Sequence, residues 1–343
     1  MVSYAERMLD KWKHGEVRDI HSEMMQLTLE IAAKTLFNAD VTSEASDVGA
    51  ALQMLLADFN DRFDRRIPLP RWLPTPANLR AFRAVRRLDA IIYGFIEQRR
   101  ASAENPGDLL SLLLAVMDEE TGSGMTNRQL RDEAMTLFLA GHETTALALS
   151  WTWYLVAQHP DVQAKLVAEW QRVLGGRLPT VADLPQLTYT EMVVREAMRL
   201  YPPAYLLGRE ATKECEIGGY RVPVGTTLWM CQWVVHRDPR NFANAETFDP
   251  DRWADGLLQR LPKYAYFPFG GGPRGCIGNT FALMEAVLVL AAIGQKFRFT
   301  LLSEHPVTPW PSFTLRPKAG IMMRLTSQRR VGVLPPKRTS AAA

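Results

Sequence analysis

Cysteine is scarce in this sequence. The 343 residues contain only Cys215, Cys231 and Cys276, and no CxxC pair occurs among them. An odd number of scattered cysteines does not form a disulfide framework, so we expect a reducing compartment, the cytoplasm. The six histidines are equally dispersed and show no HxxxH spacing, which leaves a structural zinc site without support.

Strong charge of one sign is also missing. The formal net charge is +3 and lysine and arginine are spread along the chain, so no nucleic-acid partner is predicted. The first twenty residues lack the apolar core and cleavage site of a signal peptide. One apolar run, residues 134–157, is long enough to suggest a membrane span. His142 and Glu143 lie at its middle and would be unfavourable in lipid, so we predict a buried core helix.

Helical patterns account for most of the sequence. Hydrophobic residues make up 47% of the chain, enough for a large core, and alternating segments are few, so we predict a mainly α fold with minor β content. Two capping boxes are predicted, Thr126 with Gln129 and Thr188 with Glu191. Helices are predicted at residues 21–37, 78–100, 127–159, 160–176, 188–201 and 276–297. Gly218–Gly219 predicts a hairpin.

The domain organisation follows from the remaining segments. Short strands are predicted around residues 313–317 and 321–325, and residues 237–268 are aperiodic and rich in Asp, Pro and Asn. No linker divides the chain. We predict one catalytic domain over residues 1–326 and a disordered tail over 327–343.

The stretch FPFGGGPRGCIGNTFALMEA, residues 267–286, places a cysteine in a glycine-rich loop before a helical run. Its pattern F-x-x-G-x-R-x-C-x-G consists of Phe269, Gly272, Arg274, Cys276 and Gly278. Glycines permit close approach of the backbone, a helix start favours thiolate, and the arginine offers a cation to an anionic group. Together they suit a flat, anionic metal cofactor. The alternative is a buried core cysteine, which leaves the arginine and the glycines unexplained.

The second stretch, AGHETT, covers residues 140–145 in the middle of the long predicted helix. Glycine and paired threonines are unfavourable there, and a threonine hydroxyl bonded one turn back can open a kink or groove. Glu143 and Thr144 would then stand side by side in an apolar wall and could relay protons. An ordinary buried polar patch is the alternative interpretation.

A third pair, Glu196 and Arg199, has the i, i+3 spacing of neighbours on one helix face. Taken alone, such a pair is usually a surface salt bridge that contributes little.

The cysteine loop resembles the heme-binding signature of the cytochrome P450 family, and all five signature positions match. AGHETT is similar to the family's oxygen-activation motif, and Glu196 with Arg199 to its ExxR pair. The resemblance implies that Cys276 is the axial ligand of the iron of heme b and that Glu143 and Thr144 are the catalytic proton-relay pair. It implies further that Arg252, in FDPDRW, joins Glu196 and Arg199 in a structural role that holds segment 237–268.

The same resemblance implies the surroundings of the cofactor. Arg209 and Arg274 would bind the heme propionates, although Arg209 could equally be a surface arginine, and Phe269, Gly272, Gly278 and Ala140 would lie against the heme. The implied substrate pocket is apolar and is formed by Ala204, Tyr205, Leu206, Leu207 and Phe313. His236 is interpreted as a structural histidine.

The implied activity is hydroxylation of an apolar small molecule, such as a fatty acid or terpenoid. One oxygen atom would come from dioxygen, and electrons from a separate ferredoxin or flavoprotein reductase. A peroxide-dependent peroxygenase or isomerase and a heme-carrying or inert fragment remain as alternatives; the intact Glu143–Thr144 pair disfavours the first. The family's upstream WxxxR helix has no counterpart in residues 1–40, so we expect an N-terminally incomplete sequence, and a membrane anchor in the missing part stays open.

Overall fold

The computed structural model describes residues 1–39, 72–102, 106–117 and 122–328, together with single positions between 48 and 70. The mainly α architecture with small sheets confirms the predicted fold class. The helices are α1 Val2–Leu9, α2 Ile20–Phe37, α3 Pro76–Ala101, α4 Leu109–Ala115, α5 Asn127–Gln158, α6 Pro160–Leu174, α7 Thr188–Leu200, α8 Gln232–Val235, α9 Leu257–Arg260 and α10 Asn279–Gly294. Short 3₁₀ turns occupy Val181–Gln186, Pro250–Gly256 and Gly272–Arg274.

The strands form one three-stranded sheet and three two-stranded ladders, all antiparallel. The strands are β1 Val17–Asp19, β2 Leu206–Glu210, β3 Cys215–Ile217, β4 Tyr220–Val222, β5 Thr227–Cys231, β6 Phe297–Leu301, β7 Pro309–Pro311, β8 Leu315–Pro317 and β9 Met322–Ser327. The order in the larger sheet is β1-β9-β6, and β2 pairs with β5, β3 with β4 and β7 with β8.

Helices α5 and α10 form the centre of the core. Every residue of α10 from Glu285 to Gly294 is buried, and on α5 the Trp151 and Trp153 side chains are almost fully buried. The predicted core helix over the apolar run 134–157 is therefore confirmed. None of the helices in the described ranges has the length and apolar character needed to cross a membrane.

The start of α5 is capped as predicted. The Thr126 hydroxyl accepts the Gln129 N–H at 3.3 Å, and the Gln129 side-chain oxygen accepts the Thr126 N–H at 2.9 Å. This reciprocal pair satisfies two donors that a helix start leaves without partners.

The capping box predicted for α7 is wrong. Neither Thr188 nor Glu191 caps this helix; Glu169, buried on neighbouring α6, accepts the backbone N–H groups of Tyr189 at 2.7 Å and Thr190 at 2.9 Å. Glu191 instead pairs with Arg195 on the helix surface. A carboxylate from another helix satisfies the orphan donors, so the local spacing of Thr188 and Glu191 is irrelevant.

Other differences are at element ends. The hairpin at Gly218–Gly219 is confirmed, with both glycines at positive φ, but the later part of the predicted alternation pairs with β2 and then turns into α8. Strands β1, β2, β6 and β7 were not predicted. Strand β9 includes Ser327, the first residue of the predicted tail, and residues 329–343 lie outside the described residues.

Candidate active site

The loop before α10 is held by its own backbone and presents the Cys276 side chain at the surface. Gly270 N–H donates to Phe267 O at 2.9 Å, and Cys276 N–H donates to Phe269 O at 2.9 Å. The Phe269 ring packs against the main core. The cysteine lies three residues before α10 rather than at its first turn, which corrects the predicted helix start at 276. The thiol therefore projects from a fixed loop.

Three glycines of this loop, Gly270, Gly271 and Gly272, have a backbone or a steric reason to be glycine, and Gly270 shares the φ of Gly272. Gly272 has φ of +67°, in the left-handed region that disfavours other residues. A Cβ atom on Gly271 would collide with the Tyr264 ring. Gly278 has an ordinary φ of −91°, and a Cβ atom there would lie 4.0 Å from Cys276 Sγ. The loop shape thus depends on glycine on the side that precedes the cysteine.

Two arginines near this loop keep their charge unneutralised. Among the described residues, neither Arg274 in the loop nor Arg209 on β2 takes part in an ion pair, and both are exposed. Arg209 Nη1 donates only to the Gly208 carbonyl next to it, at 2.7 Å. The loop and β2 are neighbours, since a Cβ atom on Gly270 would meet Leu207 Cδ1 at 3.7 Å. Two guanidinium groups are therefore available to an anionic ligand.

The AGHETT turn of α5 combines a threonine that bonds back to its own helix with an exposed alanine. Thr144 Oγ1 donates to Ala140 O at 2.7 Å, the back-bond expected of a mid-helix threonine. Ala140 is exposed, although most of α5 beyond it is buried. An open patch therefore interrupts the core helix at this turn.

Glu143 is not in an apolar wall beside Thr144, and that prediction is wrong. Its carboxylate is buried, and Oε1 accepts Thr314 Oγ1 at 2.6 Å and Arg316 Nε at 2.7 Å. Consecutive helical residues point about 100° apart, so the two side chains leave α5 in different directions. Thr314, just before β8, and Arg316, on β8, were not predicted as partners of Glu143, although both side chains reach its carboxylate.

A buried histidine, His142, and a half-buried one, His21, lie near this ion pair. Burial lowers the pKa of His142 to about 4, and the Arg316 charge acts in the same direction. Burial also lowers the pKa of His21 to about 4. His142 Nε2 lies 2.9 Å from Met25 O, and His21 Nδ1 lies 3.3 Å from Ser150 Oγ. Both rings are therefore uncharged near neutral pH.

Glu196, Arg199 and Arg252 come together in one buried network. Arg199 forms two hydrogen bonds to Glu196, at 2.9 and 2.8 Å, with both side chains fully buried. Arg252 Nε donates to Glu196 Oε1 at 2.9 Å. The remaining Arg199 donors reach carbonyl oxygens of the irregular segment, on Ala245 at 2.6 Å and Thr247 at 3.0 Å.

Trp253 and His236 also belong to this network, and their contacts were not predicted. Trp253 Nε1 donates to Glu196 Oε2 at 2.9 Å, a bond that phenylalanine, common at this position in the resembling family, could not make. His236 Nε2 accepts Phe267 N–H at 2.9 Å, while its carbonyl accepts Arg199 Nη1 at 2.9 Å. His236 thus connects the network to the cysteine loop, in line with the structural interpretation.

The residues implied for the substrate pocket lie in two segments that the Tyr205 side chain connects. Tyr205 Oη donates to Ser312 O at 2.8 Å, which brings residues 204–207 to the turn that carries Phe313. Ala204, Leu206 and Leu207 are half-buried, and Phe313 is 61% exposed. No hydrogen bond joins residues 140–144 to the cysteine loop in the described part of the chain.

Comparisons with known proteins give a consistent result. The family model of cytochrome P450 matches residues 1–324. A cyclooctatin synthase of Streptomyces melanosporofaciens is 39% identical over 306 residues, 89% of this chain and 67% of that protein. A pentalenene oxygenase of Streptomyces avermitilis is 35% identical over 93% of this chain and 71% of that protein. The crystal structure of the cytochrome P450DA heme domain matches with a TM-score of 0.87 and 29% identity, covering 96% of this chain and 72% of that one.

Proposed function

The chain belongs to the cytochrome P450 family of heme-dependent oxidoreductases, and from this premise we propose that it is a monooxygenase that hydroxylates an apolar small molecule. The observation that carries the proposal is the exposed Cys276 thiol on a glycine-shaped loop, with two arginines that lack acidic partners among the described residues.

The described residues fit heme b in their chemistry. Heme has an iron that takes a thiolate ligand, apolar faces and two carboxylates. Cys276 offers the thiolate, and Phe269 supports its loop from the core side. Arg209 and Arg274 match the number and the charge of the propionates. Ala140, Gly272 and Gly278 are small residues at positions where a flat group would need close approach.

When bound, heme with a thiolate ligand supplies the chemistry of dioxygen cleavage. The chain's own contribution is to bind, orient and move protons. Thr144 has committed its hydroxyl hydrogen to Ala140 O, so its oxygen lone pairs can accept a hydrogen bond from a group in the site. Glu143 holds a carboxylate one residue earlier, and its side chain is 9% exposed. We assign the proton supply to these two side chains.

Substrate, partner and location form the finer part of the proposal. The half-buried apolar side chains Ala204, Leu206 and Leu207, with Tyr205 and Phe313, support an apolar substrate, and the names of the cyclooctatin synthase and the pentalenene oxygenase support a terpenoid-like one. The sequence has no flavin or iron–sulfur motif, which supports a separate ferredoxin or flavoprotein as electron donor. Three free cysteines support a cytoplasmic location.

The test is the carbon monoxide difference spectrum of the dithionite-reduced protein, expressed with a heme precursor. We expect a strongly red-shifted Soret band in the wild type and in Cys215→Ser, a matched exposed cysteine on β3. Cys276→Ser is expected to lose this band. A band that survives in Cys276→Ser, or a wild type without one, contradicts the proposed function.

A further inference from the structure

The Glu143 carboxylate is bound asymmetrically. Two hydrogen bonds converge on Oε1, from Thr314 Oγ1 at 2.6 Å and from Arg316 Nε at 2.7 Å, and Arg316 Nη2 adds an ion-pair contact at 2.6 Å that is not a hydrogen bond. The other oxygen, Oε2, has no hydrogen-bond partner among the described residues. The Glu143 and Arg316 side chains are 9% and 13% exposed. One oxygen is therefore fixed while the other keeps its acceptor capacity.

The segment that binds Glu143, residues 314–316, is itself fixed to the core. Trp151 Nε1, two turns further along α5, donates to Leu315 O at 2.9 Å. Leu315 N–H donates to Pro203 O at 2.9 Å. Thr314 and Arg316 flank this tethered residue and share one side of the extended backbone. The position of the two donors relative to α5 is thus determined independently of Glu143.

We propose that Thr314 and Arg316 are positioning residues that hold Glu143 by Oε1, so that Oε2 serves as the oxygen that carries protons. This inference rests on the proposed function and deepens it. A proton delivered to Oε2 from a solvent hydronium ion, which becomes water, gives the neutral acid, and its departure towards the site restores the carboxylate. Arg316 keeps its proton throughout, because guanidinium does not deprotonate in proteins. It orients Glu143 and is not a donor.

The arrangement has a reason beyond stability. A glutamate without these contacts has three rotatable torsions and would spend only part of its time with an oxygen facing the site. The two hydrogen bonds on Oε1 select one side-chain conformation, and pre-organised proton donors are more effective than mobile ones. The neighbouring His21 and His142 are uncharged near neutral pH, so they do not compete with Arg316 for the carboxylate.

The test combines stability with proton-dependent turnover. We would make Glu143→Gln, Arg316→Gln and the double variant, with Arg298→Gln on β6 as an exposed strand arginine for control. If the contact exists, the double variant has a melting temperature no lower than that of the worse single variant. Turnover is dioxygen-driven NADPH consumption with spinach ferredoxin and its reductase, measured in H₂O and D₂O.

For Arg316→Gln we expect a loss of turnover on the order of tenfold and a larger ratio of rates in H₂O and D₂O, with an unchanged carbon monoxide band. Arg316→Lys should recover most of the rate, and Thr314→Val should show a smaller loss. Wild-type rate and isotope ratio in Arg316→Gln, or additive melting shifts, would overturn the inference. If Arg316→Gln lacks the band, Arg316→Lys and Thr314→Val decide by the same two readouts. A wild type without the band would instead count against the proposed function.

Discussion

The ExxR network and the cysteine loop use arginine in opposite ways. Glu196 and Arg199 are fully buried, and each Arg199 nitrogen and each Glu196 oxygen has a hydrogen-bond partner. Arg274 and Cys276 are exposed, and within the described residues no acidic side chain neutralises the arginine. A saturated network has no capacity left for a ligand, whereas the loop does.

Whether the hydrogen bonding of a group is complete distinguishes structural residues from binding residues better than residue type does. A buried ion pair is stable only when all its lone pairs and protons are matched, and such a network fixes backbone rather than binding ligands. His236 belongs to both regions, since its carbonyl accepts Arg199 and its ring accepts the Phe267 N–H. His236 therefore links the network to the loop.

Removing Arg199 is expected to cause the largest loss of stability and so tests the structural role of the buried network most directly. Arg199→Ala removes two of the donors to the buried Glu196 carboxylate, which keeps Arg252 and Trp253, and it takes the Arg199 donors away from three backbone carbonyls. We expect the free energy of unfolding to fall by about 3 kcal/mol, the lower end for a broken buried ion pair. Urea unfolding followed by circular dichroism measures it. The control is Arg195→Ala on the same helix, whose surface pair with Glu191 is worth about 0.3–0.5 kcal/mol. Similar losses for both variants would contradict the scaffold role.

The second prediction concerns acidification through His236. Burial and then the Arg199 charge lower the pKa of His236 to about 3. Between that value and the ordinary pKa near 6.5, the unfolded chain binds a proton that the folded chain does not, so stability falls as the pH falls.

From pH 7 to pH 5, wild type should lose about 2 kcal/mol more than His236→Gln, whose amide oxygen can also accept Phe267 N–H but does not titrate. Urea unfolding of both proteins at the two pH values gives the difference. Equal losses would show that His236 is charged in the folded protein or is not held by the loop.

Trp253→Phe tests the contribution of one hydrogen bond within the buried network. The substitution keeps an aromatic ring but removes the donor to Glu196 Oε2, which Arg199 Nε still satisfies at 2.9 Å. Because one donor remains, we expect a loss near the lower end for charge-assisted bonds, about 1.5 kcal/mol. Trp229→Phe, on exposed β5, should change stability by less than about 0.5 kcal/mol. A neutral Trp253→Phe would place the tryptophan outside the network.

What the sequence could predict depends on how local the deciding interactions are. The box at Thr126 and Gln129 and the left-handed glycines of the Gly218–Gly219 hairpin involve neighbours in the chain, and these predictions were confirmed. The three-residue strand β1 exists only because it pairs with β9 from the other end of the chain, and nothing in its own residues indicates that.

The same distinction between local and distant interactions applies to the residues of the site. The spacing of Cys276, Arg274 and the glycines is visible in the sequence because one loop carries them all. The partners of Glu143 are 171 and 173 residues away, and Glu169 caps a helix 20 residues later, so no local pattern could reveal them. The error over Glu143 came from treating two adjacent helical residues as one group, although they point about 100° apart.

The smallest expected effect on stability is the most informative about the site. Arg274→Gln and Arg209→Gln remove exposed charges that form no ion pair among the described residues, so the free energy of unfolding should change by less than about 0.5 kcal/mol. If each arginine holds a propionate, each loses a charge-assisted bond of at least about 1.5 kcal/mol, and heme should leave on the order of tenfold faster. Transfer of heme from the loaded protein to excess apomyoglobin measures this rate, with Arg298→Gln as the control. Unchanged heme loss in both variants would mean that exposed, unpaired charge does not mark the binding surface, and the contrast with the saturated ExxR network would then lose its functional meaning.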